Sequence, residues 1–353
     1  MKICKVMMYR GYIKVLLIGF FMFRLVSGVS QTAIQKIRIA CVGNSVTYGL
    51  GLNDRETESY PAQLQQLLGS TYEVGNFGLS GATLLSKGHR PYILTDEYKR
   101  ALAFNPDVVV IGLGLNDTDP RNWPNFRDEF IPDYLKIIRS FQNSGSQSPK
   151  VFICRMTPVF NSHPRFKSGT RDWFWQIQEK IEQVARVAQV GLIDLHTPLY
   201  AHPDLFKDAL HPDQAGAGII AKTVSRHITG NYGGLKLAPV FMDHMVFQQK
   251  ANIRVWGKAD AGDEVVGAFG KQVGKCVASE SGDWALTFDP VPAGGPYTLK
   301  VSSGNRQVIV LNDLMVGELW VCAGQSNMEF PLKEAAAASA DVLRSANPGI
   351  RLL

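Results

Sequence analysis

The chain has 353 residues, of which 45% are hydrophobic and 19% charged, a composition that excludes a disordered protein and allows more than one domain. Its formal net charge is +6, but five basic residues and no acidic residue lie in the first 30 positions. Without that segment the net charge is +6 − 5 = +1. So small an excess of positive charge favours neither nucleic acid nor an acidic membrane surface as a partner.

The N-terminal segment has the composition of a secretory leader. Its basic residues precede an apolar core, residues 15–23, which is followed by small residues up to Ser30. Nine apolar residues are too few for a membrane span, which needs about 20. We therefore expect residues 1–30 to be a signal peptide, cleaved near Gly28 or Ser30. The mature protein would then be exported, periplasmic or extracellular, without a stable membrane span; an uncleaved anchor is the alternative.

Between residues 36 and 230, short apolar runs alternate with longer amphipathic segments. The apolar runs predict strands, and the segments with apolar residues at every third or fourth position predict helices. This alternation predicts a doubly wound parallel sheet with helices on both faces. The predicted strands are Ile37–Val42, Tyr72–Asn76, Val108–Gly112, Val151–Arg155 and Gly191–Asp194, and the predicted helices include Tyr60–Leu68, Phe126–Ser140 and Trp173–Ala188.

The rest of the chain has a different texture. Over residues 236–315, short β-branched and aromatic runs are interrupted by Gly, Asp and Pro at near-regular intervals, which predicts a small all-β sandwich. Residues 316–353 begin a further unit, with a predicted helix in Ala335–Ala340. The isolated cysteines in apolar runs predict buried free thiols, and no Cys/His spacing indicates zinc; they are Cys41, Cys154, Cys276 and Cys322.

Polar residues follow the predicted strands at the edge where ligands of such sheets bind. Ser45 follows the first strand, Gly78 the second and Asn116 the third, whereas Asp208 and His211 lie beyond the fifth. A serine hydroxyl needs a base to become nucleophilic, and the base needs a carboxylate to orient it. We therefore predict Ser45 as the nucleophile, His211 as the base and Asp208 as its partner, with no metal or cofactor.

Acyl transfer also needs donors for the negative charge that develops on the carbonyl oxygen. Three candidates lie at the same edge of the sheet: the backbone N–H groups of Ser45 and Gly78 and the side-chain amide of Asn116. We predict that these three groups form an oxyanion hole.

The segments GNSVTYG, NFGLSG, GLGLND and DALHP resemble, in this order, the four conserved blocks of the SGNH (GDSL-type) hydrolase family. The resemblance covers residues 36–230 and implies a flavodoxin-like three-layer α/β fold. It also implies the nucleophile at Ser45, the glycine at Gly78, the asparagine at Asn116, and the acid and base at Asp208 and His211. Asn44 stands where many members carry Asp, which affects the subfamily rather than the chemistry.

A second resemblance begins near residue 237 and includes VWGKADAGDEV and VGELWVCAGQSNMEF. These segments are similar to the start of a sialate O-acetylesterase and its inserted β-domain. The resemblance implies that residues 316–353 are the truncated start of a second SGNH-type domain, with Ser326 as its nucleophile. Since no histidine follows Ser326, we expect this serine to be silent.

Other interpretations of single motifs are open. Gly43–Gly49 resembles a phosphate-binding loop but has neither the GxGxxG spacing nor the lysine of GxxxxGK. His196 and His202 are alternative candidates for the base. The sequence around them predicts a loop, in which both histidines would lie on the surface. Asp194 is expected to be structural, and Asp117 is expected to cap the turn that follows it.

Together these patterns predict a secreted serine esterase that removes O-acetyl groups from carbohydrate, with sialic acids as the expected substrate. An acetyl esterase for plant polysaccharide and a lysophospholipase-like acylhydrolase are alternatives with the same chemistry. A non-catalytic glycan-binding module is the alternative from another class.

Overall fold

A computed structural model describes residues 35–351 except 146, 165–169, 305–306, 335–337, 345–346 and 348. The predicted leader, residues 1–30, lies outside the described residues. Five strands of the first half form one parallel sheet in the order β2-β1-β3-β4-β5. They are β1 Ile37–Gly43, β2 Tyr72–Gly78, β3 Val108–Gly112, β4 Lys150–Arg155 and β5 Gly191–Asp194.

The helices of this half agree closely with the sequence periodicity. Two differ at their starts. The helix predicted over Phe126–Ser140 begins at Phe130, because a short helix and a 3-10 turn, Arg127–Glu129, precede it, and the helix predicted over Trp173–Ala188 begins at Thr170. The helices are α1 Ser45–Tyr48, α2 Arg55–Glu58, α3 Tyr60–Leu68, α4 Asp96–Ala103, α5 Trp123–Phe126, α6 Phe130–Gln142, α7 Thr170–Ala188, α8 Thr197–Tyr200 and α9 Gln214–Thr229. None of the described helices is both long and apolar enough to cross a membrane.

Alternate residues of each strand point to opposite faces of the sheet, so both faces carry apolar side chains. On β1, Ala40 and Val42 pack into a core that includes residues of α4, α6 and α7. Ile39 and Cys41 pack into a second core on the other face, with residues of α3 and α9. The three-layer doubly wound fold predicted from the sequence is therefore confirmed.

The second half forms two facing sheets around a separate apolar core. The larger sheet has the order β10-β9-β12-β13-β7 and the smaller β11-β8-β6, which confirms the predicted β-sandwich. The strands are β6 Lys236–Leu237, β7 Val246–Gln248, β8 Ile253–Lys258, β9 Glu264–Phe269, β10 Gln272–Val277, β11 Asp283–Phe288, β12 Gly294–Ser303 and β13 Gln307–Gly317.

Residues 318–331, which follow β13, are all exposed, including Trp320, which is 84% exposed. Of the predicted helix Ala335–Ala340, residues 335–337 lie outside the described part, and a helix, α10, is present at Ala338–Arg344. The domain bounds 36–230 and 236–315, and the interpretation of residues 316–353 as the start of a second esterase domain, stay predictions.

The prediction of buried free thiols is right for two cysteines. Cys41 and Cys154 are buried in the sheet, and burial raises the pKa of the Cys41 thiol to about 12, which makes it unreactive at neutral pH. Cys276 is half-buried. The prediction is wrong for Cys322, which is exposed because it lies in the segment after β13 that no core covers.

Gly43 ends β1 at a point where there is no room for a side chain. A Cβ at this position would lie 2.1 Å from Thr47 Oγ1 and 2.9 Å from the carbonyl oxygen of Gly112. Thr47 lies on α1, which begins at Ser45. The absence of a side chain at Gly43 therefore allows α1 to pack closely against the end of the sheet.

We expect Gly43→Ala to lower the free energy of unfolding by about 1–3 kcal/mol, because the added methyl group overpacks a site bounded by backbone. Gly112→Ala is the matched control. Gly112 lies directly opposite Gly43 on β3, and its Cβ would meet nothing closer than 3.6 Å. Denaturant unfolding of both variants measures the difference, and equal stability of the two would contradict this account.

Candidate functional site

Ser45 lies at the first turn after β1. Asn44 caps α1 by accepting a hydrogen bond from the Val46 N–H at its side-chain oxygen, over 3.0 Å. Ser45 is the first residue of the helix and is 5% exposed. The short strand-to-helix turn therefore holds the serine hydroxyl at the carboxyl edge of the sheet, beside the point where the strand order reverses.

Asp208 and His211 lie on one loop between α8 and α9 and form a compact hydrogen-bonded unit. One carboxylate oxygen of Asp208 accepts from the backbone N–H groups of Leu210, at 3.0 Å, and His211, at 2.7 Å. The other lies 2.5 Å from His211 Nδ1. On the opposite side of the ring, His211 Nε2 lies 2.8 Å from Ser45 Oγ. The three predicted side chains thus form a continuous hydrogen-bonded chain.

The surroundings of Asp208 favour its charged form. Partial burial raises the pKa of this carboxyl, but hydrogen bonds from the His211 backbone, the His211 ring and the Leu210 backbone outweigh it, so the pKa lies below its ordinary value. A carboxylate in contact with Nδ1 favours the tautomer with a proton on that nitrogen and leaves Nε2 to accept the serine proton.

Asn116 lies on a 3-10 turn, Leu115–Thr118, directly after β3. Its side-chain nitrogen donates to the carbonyl oxygen of Ala82 over 3.0 Å. Ala82 belongs to the loop after β2, which Leu79 anchors by donating its N–H to the Gly43 carbonyl oxygen over 2.9 Å. The Asn116 amide is therefore held between the loops that follow β2 and β3.

The role predicted for Gly78 in the oxyanion hole stays a prediction. The Gly78 N–H donates to the side-chain oxygen of Asn76 over 3.0 Å. A Cβ on Gly78 would lie 2.2 Å from the backbone nitrogen of Tyr48, so the glycine allows β2 to approach α1 closely. Within the described part of the chain, the N–H of Gly81 has no hydrogen-bond partner, and Gly81 has a φ of 79°.

Asp117 does not cap the turn that follows it, and the prediction made for it is wrong. Its side chain is fully buried and accepts hydrogen bonds from the N–H groups of Leu84, at 2.9 Å, and Leu85, at 2.8 Å. The carboxylate therefore joins the loop that carries Asn116 to the loop after β2. The sequence contains no signal for this contact, because the partners are backbone groups about 30 residues away.

We expect Asp117 to make stability depend on pH. Burial raises the pKa of this carboxyl to about 7, against hydrogen bonds from Leu85 and Leu84 that lower it. The folded protein therefore binds the proton more tightly than the unfolded chain, so the contribution to stability is greatest below pH ~4 and declines as the pH rises to about 7.

Thermal unfolding of the native sequence and of Asp117→Asn between pH 4 and pH 8 tests this expectation. The stability of the native sequence relative to the variant should fall as the pH rises and should level off above about 7. A difference that does not change with pH would show that Asp117 has the same pKa in the folded and unfolded states.

The remaining candidates from the sequence have other surroundings. His196 is buried, not on the surface as predicted, because its ring lies 5.1 Å from each of the rings of Trp175 and Tyr200. His202 is exposed. Asp194 accepts from the backbone N–H groups of His196 and Thr197, which agrees with its expected structural role. Neither histidine takes the place of His211 beside Ser45.

Ser326 lies on an exposed 3-10 turn, Ser326–Glu329. In the described part of the chain it has no hydrogen bond to a histidine, in contrast to Ser45. The same part contains no group of three or more His, Cys, Asp or Glu side chains that could hold a metal ion.

A small cleft adjoins the histidine. It has a volume of about 140 Å³ and is lined by Asp208 and His211 together with Leu50, Gly51, Lys207, Pro212 and Asp213. Ligand pockets for drug-sized molecules are typically about 300–1,000 Å³. Ser45 and Asn116 do not line this cleft, so it lies beside the hydrogen-bonded chain rather than around the serine hydroxyl.

Residues 41–219 match the model of the GDSL-like Lipase/Acylhydrolase family, a match that spans half of the chain and contains Ser45, Asn116, Asp208 and His211. The chain belongs to this family. The family predicted from the four sequence blocks is confirmed.

Two curated relatives are similar to parts of the chain. An acetylxylan esterase from Xylanibacter ruminicola is 36% identical over 218 residues, which cover 54% of this chain and 43% of the relative. A sialate O-acetylesterase from Rattus norvegicus is 27% identical over 119 residues, which cover 31% of this chain and 22% of the relative. The chain thus spans less than half the length of either relative.

Among solved structures, a carbohydrate acetylesterase from Xanthomonas citri is 28% identical, with a TM-score of 0.30 and coverage of 32% of this chain and 26% of that chain. An aryl esterase from M. smegmatis is 20% identical, with a TM-score of 0.43 and coverage of 55% of this chain and 98% of that chain.

Proposed function

We propose that this chain is a carbohydrate O-acetylesterase that works through an acetyl-enzyme formed on Ser45. The observation that carries the proposal is the hydrogen-bonded chain from Asp208 through His211 to Ser45 Oγ. Serine nucleophiles of esterases need this arrangement of a base and an orienting carboxylate. A glycan-binding module without catalysis has no use for it.

In the first half-reaction, Ser45 Oγ attacks the acetyl carbonyl carbon while His211 Nε2 takes the hydroxyl proton. A carbon–oxygen bond to the serine forms, and the carbonyl oxygen becomes an oxyanion. His211 then returns the proton to the sugar oxygen as the bond between that oxygen and the carbonyl carbon breaks. Asp208 stabilises the positively charged ring between these two transfers.

In the second half-reaction, water attacks the acetyl-enzyme. His211 takes a proton from the water, the Ser45 ester bond breaks, and the serine oxygen regains the proton as acetate leaves. No metal or cofactor enters either half-reaction.

We further propose that the oxyanion accepts hydrogen bonds from the Ser45 N–H and the Asn116 side-chain amide. For the third donor we propose Gly81 in place of the predicted Gly78, because the Gly78 N–H donates to Asn76, whereas the Gly81 N–H has no partner among the described residues. Gly81 precedes Ala82, whose carbonyl oxygen holds the Asn116 side chain, so the two donors lie on connected groups.

Both the acetyl group and the carbohydrate part of the substrate are supported by the two relatives, named as an acetylxylan esterase and a sialate O-acetylesterase. The former is more similar and covers more of this chain, which favours polysaccharide over the sialic acids expected from the sequence. Export of the protein through a cleaved leader, residues 1–30, remains part of the proposal.

We expect Ser45→Ala to lower kcat by several orders of magnitude, as loss of a triad member does. Ser326→Ala is the matched control and should leave kcat unchanged within about twofold, since this serine has no base beside it. Acetate release from acetylated xylan and from acetylated sialic acid, compared with fatty-acid release from a long-chain ester, measures activity and substrate class together. Loss of activity in Ser326→Ala with retention in Ser45→Ala would move the working site to the C-terminal segment.

The same preparation separates an enzyme from a binding module. A serine-directed phosphonate should label the chain once, and Ser45→Ala should abolish the label. Sugar binding without any label would support the non-catalytic module, and a preference for the long-chain ester would support the lysophospholipase-like alternative.

We expect Asn116→Ala to lower kcat for acetate release by about 10²–10³-fold with little change in KM, because an oxyanion donor acts mainly in the transition state. Steady-state kinetics with a soluble acetyl ester measures both constants. A rise in KM with unchanged kcat would instead make Asn116 a substrate-binding residue.

A further inference from the structure

Four aromatic side chains contact one another in a row near the carboxyl edge of the parallel sheet. We call this row the aromatic ledge. The His196 ring lies between those of Trp175 and Tyr200, with centroid distances of 5.1 Å to each. The Phe160 ring is stacked against Tyr200 at 6.5 Å with an interplanar angle of 19°. The ledge therefore consists of Phe160, Trp175, His196 and Tyr200.

Two members of the ledge are open to solvent. Tyr200 is 62% exposed and Trp175 is 42% exposed, whereas His196, which contacts both, is only 7% exposed. Burial also lowers the pKa of His196, which keeps its ring uncharged at neutral pH. Neighbouring large aromatic side chains with exposed surface cost hydration free energy, and such patches are common at ligand-binding grooves.

The ledge is continuous with the proposed catalytic loop. The Phe160 N–H donates to the carbonyl oxygen of Ala209 over 2.9 Å, and the Phe160 ring lies 5.1 Å from that of Phe206. Ala209 lies between Asp208 and His211 in the sequence. The ledge and the base are thus supported by the same loop.

The distance between Ser45 and the aromatic ledge follows from the order of the strands. Ser45 follows β1, Phe160 follows β4, and His196 and Tyr200 follow β5, which is three strands from β1. With about 4.8 Å between neighbouring strands, the lateral distance from the nucleophile to the far end of the ledge is roughly 14 Å. That distance exceeds one sugar ring and corresponds to a short oligosaccharide.

We propose that the aromatic ledge is a subsite for the uncharged pyranose rings of a polysaccharide, within the length of a short oligosaccharide from the acetylated sugar that Ser45 attacks. The inference rests on the proposed function and adds the substrate class to it. The C–H faces of a pyranose ring are apolar and flat, so they pack onto exposed aromatic rings and release water from both surfaces.

The test is a chain-length series of acetylated xylo-oligosaccharides, from the monosaccharide to the polymer. With the native sequence, we expect kcat/KM to rise with chain length until the oligosaccharide reaches the ledge. In the double variant Trp175→Ala/Tyr200→Ala, this rise should disappear, with a loss of roughly tenfold on the longer substrates, mainly in KM. Hydrolysis of p-nitrophenyl acetate, which is too small to reach the ledge, should be unchanged.

Val187→Ala is the matched control, because Val187 is exposed to a similar extent, 59%, and lies at the opposite end of α7. It should retain the dependence on chain length. Binding of deacetylated xylan to the Ser45→Ala protein, with and without the two ledge substitutions, gives a readout that does not require turnover. The ledge substitutions should weaken this binding.

Three outcomes overturn the inference: no dependence on chain length in the native sequence, the same dependence in the double variant, or equal xylan binding with and without the ledge. These results are distinct from failure of the proposed function. That failure would show as p-nitrophenyl acetate hydrolysis that survives Ser45→Ala.

Discussion

The hydrogen bond of 2.8 Å between His211 Nε2 and Ser45 Oγ joins two loops that are 166 positions apart in the sequence. It can form only because both loops leave the same edge of the parallel sheet. Ser45 follows the strand beside the reversal of strand order, and His211 lies beyond the last strand of the sheet. The site thus depends on the sheet, whose two apolar cores fix the positions of the strand ends.

Near this hydrogen bond, further hydrogen bonds join the loops that follow β1, β2 and β3. Asn116 binds the Ala82 carbonyl oxygen, Asp117 binds the N–H groups of Leu84 and Leu85, and Leu79 binds the Gly43 carbonyl oxygen. The loops after β1, β2 and β3 are therefore tied to one another rather than only to their own strands. Such cross-linking holds donors in place before the substrate binds, which is the requirement for electrostatic stabilisation of a transition state.

The sequence predicted the parallel sheet and the contact between Asp208 and His211, because both depend on local patterns. Apolar runs between amphipathic segments mark the five strands, and the i, i+3 spacing of Asp208 and His211 suits contact within one loop. Asp117 and His196 were predicted wrongly, because the Leu84 and Leu85 N–H groups and the Trp175 ring come from other segments of the chain. The oxyanion role of Gly78 stays a prediction, and its approach to α1 has no signal in spacing or composition.

The carboxylate of Asp208 receives its hydrogen bonds from Leu210 and His211, within four residues of its own chain, and none of these bonds goes to a strand. The acid and the base therefore contribute little to the packing of the sheet, and the sheet does not need them in order to form. Replacement of the two side chains would therefore change the chemistry of the site without changing the architecture of the domain.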